Sequence, residues 1–334
     1  MPRVAVLLPA RDAERTLRAA AVSILRQTFR DFRLVAVDDG SRDGTGDLLR
    51  RLAEVDGRLE VVRGPGEGIA RALCRGLDRC DAEVVARMDA DDVAHPRRLE
   101  RQLAALDQDG SLAAVGSRVR LFPRRAVAAG MRRYAAWLNG LVTAELVWRD
   151  LLVEAPLVHP ASAIRREALE RAGGWREGDF PEDYDLWLRL AAAGGRLTNL
   201  PEVLLDWRES ESRLTRTDGR YALARHQALK AAWLAEGALR GRGEVALWGA
   251  GETGRSFARA LARHRIRVAL FLEVDPRKFG RRVAGAPVYP YSEAGRARGL
   301  PLLVAVGAVG ARDLIRAELE RQGFEELRDY RCVA

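Results

Sequence analysis

Lysine is nearly absent. Only Lys230 and Lys278 occur among 56 basic residues, so the positive charge is carried almost wholly by arginine. Such uniform use reads as a genomic habit, which weakens the net charge of +9 as a pointer to a partner. Residues 1–242 carry 40 basic and 36 acidic side chains, and residues 243–334 carry 16 and 11. The charges are interleaved, which argues against nucleic acid as a partner. A weak attraction to anionic membrane surfaces is compatible with the sign. Cysteine is scarce too: Cys74, Cys80 and Cys332 form neither a disulfide framework nor a metal-ligand spacing. No run reaches the roughly 18–20 uncharged apolar residues of a membrane-spanning helix; the best, Leu300 to Ala311, has 12. The opening Met-Pro-Arg-Val-Ala-Val-Leu-Leu-Pro is strand-like and too short for a secretion signal. These absences predict a reduced cytoplasmic protein, with peripheral contact at the inner membrane face left open.

What is present is ordinary globular chemistry: 48% apolar and 31% charged residues over 334 positions, enough for two domains. Strands are predicted at Arg3–Leu8, Leu34–Val37, Leu59–Val62, Glu83–Met88, Ala113–Leu121 and Leu157–Ile164. Helices are predicted at Ala13–Gln27, Asp47–Val55, Ile69–Arg79, Pro96–Leu106, Arg166–Ala172 and Glu182–Ala193. The alternation implies a mostly parallel sheet with helices on both faces. Residues 124–153 read as mostly helical and unplaced. A break at Gly241 and Gly243 precedes a second α/β pattern, giving 1–217 as the first domain, 218–242 as a helical linker and 243–334 as the second domain.

Two acidic turns close strands of the first domain, where open α/β sheets hold their ligands. Asp38-Asp39-Gly40 follows one strand; Asp89-Ala90-Asp91-Asp92 follows another. Alternate carboxylates at such a turn can share one hard divalent cation, Mg²⁺ or Mn²⁺, which bridges well to a diphosphate. Asp-rich turns also occur as plain solvated connections, and Asp38-Asp39-Gly40 fits ordinary turn chemistry.

Further motifs stand in order around these turns: Leu7-Leu8-Pro9-Ala10-Arg11-Asp12, Val37 to Thr45, Met88 to Asp92 with Pro96 to Leu99, His159-Pro160, Gly173-Gly174-Trp175, and Pro181-Glu182-Asp183-Tyr184-Asp185-Leu186-Trp187. In these motifs, from about Arg3 to Thr217, the chain resembles the family 2 inverting glycosyltransferases of the GT-A fold. The resemblance implies a nucleotide-sugar donor, with UDP favoured, and a glycan or lipid-linked acceptor in polysaccharide synthesis. It implies that Asp39 accepts a hydrogen bond from the nucleotide base, with Pro9, Ala10 and Arg11 lining that pocket. Asp89 would face the ribose or a metal-bound water, and Asp91 would bind the metal. Arg71 matches a donor-side position but reads equally as a solvated helix arginine. Of the acidic pair Glu182 and Asp183, Asp183 is expected to be the base, although acids also suit the first turn of a helix for its dipole. His159 is read as structural or acceptor-lining.

The chain departs from the family where a histidine often follows an aromatic-arginine pair. Here Trp207-Arg208-Glu209-Ser210-Glu211-Ser212-Arg213 has none. Arg208, Arg213 or Arg216 could cover the diphosphate instead. The departure keeps a second reading in view, a catalytically idle nucleotide-sugar-binding or partner protein.

The second domain carries Gly249-x-Gly251-x-x-Gly254 between a predicted strand and helix, the context of a phosphate loop. Glu273 or Asp275 stands near a ribose partner's place. The unit resembles small Rossmann-like domains appended to some bacterial glycosyltransferases. A bound nucleotide or sugar phosphate and a purely structural or docking role are both compatible with it.

Overall fold

A computed structural model of the chain describes residues 1–211 and 213–334. Its backbone divides into two compact units. The first comprises Met1–Trp148, Pro156–Gly178 and Glu182–Thr217; the second comprises Arg149–Ala155, Asp179–Pro181 and Asp218–Ala334.

The first unit holds strands β1 (Val4–Ala10), β2 (Phe32–Asp39), β3 (Leu59–Gly64), β4 (Val84–Arg87), β5 (Val93–Ala94), β6 (Leu112–Phe122), β7 (Ala163–Arg165) and β8 (Arg196–Arg208). They form one eight-stranded sheet in the order β3-β2-β1-β4-β7-β6-β8-β5. Strands β3, β2, β1 and β4 run parallel, β6 and β8 run parallel, and β7 and β5 are antiparallel to their neighbours. Helices α1 (Glu14–Leu25), α2 (Thr45–Val55), α3 (Ile69–Leu77), α4 (Arg98–Gln108), α5 (Ala129–Gly140), α6 (Ala144–Asp150), α7 (Arg166–Arg171), α8 (Glu182–Ala192) and α9 (Leu214–Thr217) accompany it.

All seven residues of β1 are buried, because both faces of the sheet are covered. Val4, Val6 and Leu8 pack with Leu17, Ala20, Ala21 and Ile24 of α1 and with Leu99 and Leu103 of α4. The opposite face meets α3, which comes so close that a Cβ at Gly76 would lie 2.2 Å from Leu7 Cδ1 and 2.8 Å from Val37 Cγ2. Sequence periodicity therefore finds these strands but gives no sign of β8. Pro201 interrupts its apolar pattern, and the β6–β8 register shifts there: Ser117 pairs with Leu200, Arg118 with Val203. The strand expected over Leu157–Ile164 is also shorter. His159–Ala161 turns as a 3₁₀ helix around Pro160, leaving only β7.

The second unit contains β9 (Glu244–Trp248), β10 (Arg267–Glu273), β11 (Arg282–Val283), β12 (Ala286–Pro290), β13 (Leu302–Val304) and β14 (Tyr330–Cys332), in the order β11-β12-β10-β9-β13-β14. All pairs are parallel except β11–β12. Its helices are α10 (Leu223–Glu236), α11 (Glu252–Ala262) and α12 (Ala311–Arg321). Residues 218–242 are thus not a free linker. Their helix α10 packs on α11, Gln227 Nε2 donates to the Thr253 carbonyl, and the buried Lys230 Nζ donates to the carbonyls of Val153 (2.8 Å) and Val333 (3.1 Å). Burial lowers the Lys230 pKa to about 8.

Candidate active site

The carboxyl ends of β2, β1 and β4 lie side by side: Ala10 pairs with Asp38, and Leu7 pairs with Arg87. Both acidic turns therefore emerge on one edge of the first unit's sheet. The loop after β1 is stitched to the loop after β2. Asp12 Oδ1 accepts the Arg42 N–H, Thr45 Oγ1 accepts that of Ala13, and Glu14 Oε2 accepts that of Gly44. Asp38 Oδ1 accepts the Ser41 N–H in its own turn.

Asp39 is buried, and its carboxylate faces the loop after β3. Oδ1 accepts from the backbone N–H of Gly66 and Glu67 (3.1 Å each), and Oδ2 from Gly68 (2.8 Å). A carboxylate offers about four acceptor sites, and these bonds occupy three of them. Pro9 and Ala10 are buried at the strand end, and Arg11 is exposed with Nη1 donating to the Gly66 carbonyl at 3.3 Å. Arg71 Nη1 lies 3.9 Å from Oε1 of Glu67, in the same loop. Its guanidinium pairs with Glu177, Nη2 to Oε2 at 2.6 Å, as an exposed helix arginine would.

Three carboxylates, not two, converge after β4. Ligand oxygens of Asp89, Asp91 and Asp92 lie within 4.8 Å of one another. Burial, then the Asp89 charge, push the Asp91 pKa up to about 6, against the pull of Arg213 and Arg208. Asp92 is driven up further by burial and by Asp89 and Asp91. Its Oδ1 accepts the Arg208 N–H at 2.7 Å, while its buried Oδ2 has no partner. Clustered acids that resist joint ionisation, with one oxygen orphaned, fit a hard divalent cation.

Arginines surround this cluster. Arg87, almost wholly buried, donates through Nη1 to Asp89 Oδ1 and to the Met88 carbonyl. Arg98 is fully buried behind it, with Nη2 donating to the carbonyls of Arg87 (2.7 Å) and Ser162 (3.1 Å) and Nε to Gln102 Oε1 (3.1 Å). Burial brings the Arg98 pKa down to about 9 even though Asp92 opposes it. Arg208 Nε donates to the Asp91 carbonyl at 2.6 Å, and its guanidinium lies 4.4 Å from the centre of the Phe122 ring. Arg213 and Arg216 both pair with Glu209. Ser212, within that motif, lies outside the described residues.

The acidic pair opens α8. Glu182 is buried and Asp183 is partly exposed, with Asp183 Oδ1 accepting the Tyr184 N–H at 2.7 Å. Successive helix residues diverge by about 100°, which explains the contrast. His159 is locked in the wall: Trp175 Nε1 donates to its Nε2 at 3.0 Å, and its Nδ1 lies 3.9 Å from Glu182 Oε1. Burial and then Arg87 hold the His159 pKa well below 6.5, which favours the neutral ring. Arg87 and His159 thus connect the metal-type turn to the α8 turn. Sequence reasoning overlooked Asp92, Arg87, Arg98 and Glu209. The Asp91-Asp92 doublet was a signal for the first; the buried arginines are masked by the abundance of arginine.

In the second unit, Gly249 has φ +109°, and a Cβ there would lie 2.9 Å from the Ala305 carbonyl oxygen. A Cβ on Gly254 would lie 1.8 Å from the Gly249 oxygen, whereas Gly251 faces open space. Glu273 is committed to this turn: its oxygens accept from the N–H of Ala250, Val274 and Asp275 and from Lys278 Nζ. Asp275 caps the turn at Pro276 and pairs with Arg277.

The family model described as Glycosyl transferase family 2 matches residues 5–173. The UDP-Gal:alpha-D-GlcNAc-diphosphoundecaprenol beta-1,3-galactosyltransferase of Escherichia coli is 27% identical over 235 residues, covering 68% of this chain and 82% of that protein. Among solved structures, Staphylococcus aureus TarS in complex with UDP-GlcNAc aligns with a TM-score of 0.56 and 18% identity, over 78% of this chain and 72% of that one. The mannosyltransferase PcManGT from Pyrobaculum calidifontis, in complex with GDP-Man and Mn²⁺, aligns with a TM-score of 0.52 and 22% identity, over 79% and 69%. At these identities the structural likeness is one of fold, the GT-A arrangement.

Proposed function

Because the chain belongs to glycosyl transferase family 2 and is a glycosyltransferase, we propose that it transfers a sugar with inversion from a UDP-sugar to a hydroxyl of a glycan or lipid-linked acceptor. The observation that carries this reading is the convergence of Asp89, Asp91 and Asp92 within 4.8 Å, on a sheet edge whose neighbouring turn holds Asp39. UDP is favoured by the UDP-sugar named for the galactosyltransferase. The acceptor class rests on the diphosphoundecaprenol acceptor of that galactosyltransferase. The reaction is placed in the cytoplasm, at the inner membrane face when the acceptor is lipid-linked; among the described residues no helix is long and apolar enough to cross a membrane.

The nucleotide base would sit at Pro9, Ala10 and Arg11, using the remaining acceptor site of Asp39. Asp89, Asp91 and Asp92 would hold Mg²⁺ or Mn²⁺, which when bound offsets charge growing on the diphosphate. Arg208, Arg213 and Arg216 supply fixed positive charge on the same side. Asp183 acts as base: its partly exposed carboxylate takes the proton of the acceptor hydroxyl. The acceptor oxygen bonds to the anomeric carbon as the bond to the diphosphate breaks, and attack from the face opposite the diphosphate inverts the centre. Calorimetry of UDP binding with Mn²⁺ and with EDTA tests the reading. Tight binding is expected only with Mn²⁺, and equal affinity in both removes the metal from the mechanism.

A further inference from the structure

Glu209 follows the last residue of β8 and is anchored there, its N–H donating to the Phe122 carbonyl at 2.7 Å. Its side chain is only 1% exposed. Two arginines converge on it: Arg213 Nη1 lies 3.1 Å from Oε2, and Arg216 Nη2 pairs with Oε1. The Arg213 guanidinium also lies 4.2 Å from the centre of the Trp207 ring. Arg208, the residue before Glu209, donates its N–H to Asp92 Oδ1 at 2.7 Å and its Nε to the Asp91 carbonyl at 2.6 Å, so this group stands beside the acidic cluster. Two cations on one anion leave a surplus positive charge there. Each guanidinium has five N–H donors, and Glu209 engages few of them.

We propose that Glu209 is a positioning residue that holds Arg213 and Arg216 as a preset fork for the diphosphate of the nucleotide sugar. The inference rests on the donor reading above. A rival role, in which Glu209 competes with the diphosphate for the arginines, requires them to leave it. That would strand a buried carboxylate without a counter-charge, a strongly unfavourable state. The arginines therefore stay on Glu209 and offer their remaining donors to phosphate oxygens, in the charge-assisted geometry that suits guanidinium.

The test is calorimetry of UDP, with Mn²⁺ and with EDTA, on the full chain, with uridine as the probe lacking phosphates. Glu209→Gln should weaken UDP about tenfold under both conditions and leave uridine binding unchanged, because only the phosphate contacts depend on the fork. Glu209→Asp, which keeps the charge on a shorter arm, should recover part of the loss. On an Arg213→Gln/Arg216→Gln background, Glu209→Gln should cost less than a further twofold, since it acts through those arginines. UDP binding that is unchanged or tighter in Glu209→Gln overturns the inference, as does an equal loss for uridine. Wild-type protein that binds no UDP overturns the donor reading itself, which separates the two failures.

Discussion

Replacing Asp91 with asparagine should stabilise the metal-free protein, and the gain should depend on pH. The Asp91 carboxyl has its pKa raised from 3.8 to about 6 by burial and by Asp89. The folded state therefore binds more protons than the unfolded chain between those values, and its stability falls as pH rises through that window. A shift from 3.8 to about 6 corresponds to about 3 kcal/mol at pH 7.5, at 1.36 kcal/mol per unit. Asparagine does not ionise, so Asp91→Asn removes that cost, which already nets the pull of Arg213 and Arg208 against burial and Asp89. Urea denaturation in EDTA should show the variant equal to wild type near pH 4 and 1–3 kcal/mol more stable, in rough terms, at pH 7.5. Excess Mn²⁺ should reverse the order. Wild type gains about 4.1 kcal/mol at a thousandfold excess over Kd, whereas the variant, with one ligand removed, gains little. A variant equally destabilised at every pH, or equal stabilisation of both proteins by Mn²⁺, would refute the assignment of this cluster.

Asp183→Asn should lower transfer by roughly 10²–10⁴-fold with donor affinity nearly unchanged, whereas Glu182→Gln, buried beside His159, should cost less; transfer assays and UDP titrations of both variants decide between them, and the opposite ranking would move the base to Glu182. Arg98→Met should cost roughly 2–4 kcal/mol in a urea titration, because the carbonyls of Arg87 and Ser162 lose a buried donor. Gly254→Ala should destabilise by at least about 3 kcal/mol, since its Cβ would meet the Gly249 oxygen at 1.8 Å. Thermal melting checks it, and a melting temperature within a degree of wild type would show that α11 can move aside.

Local sequence determined much of this protein. Apolar runs closed by turn residues marked β1, β2, β4 and β9, because a strand covered on both faces is continuously apolar. Acidic residues at the end of β2 and after β4 marked the sheet edge where the carboxylates gather, since the turn chemistry of Asp and Gly is local. Tertiary structure decided the rest. Strand β8 is held by pairing with β6 across a register shift at Pro201, and nothing in its own pattern announces it. Helix α10 became part of the second unit through Lys230, which meets Val153 and Val333 from distant stretches of chain. The difference in burial between Glu182 and Asp183 follows from which one faces His159, and the third carboxylate, Asp92, owes its character to burial. Burial and long-range pairing are properties of the folded surroundings, so residues with the same letters, Arg98 inside and Arg71 outside, diverge only once the chain has folded.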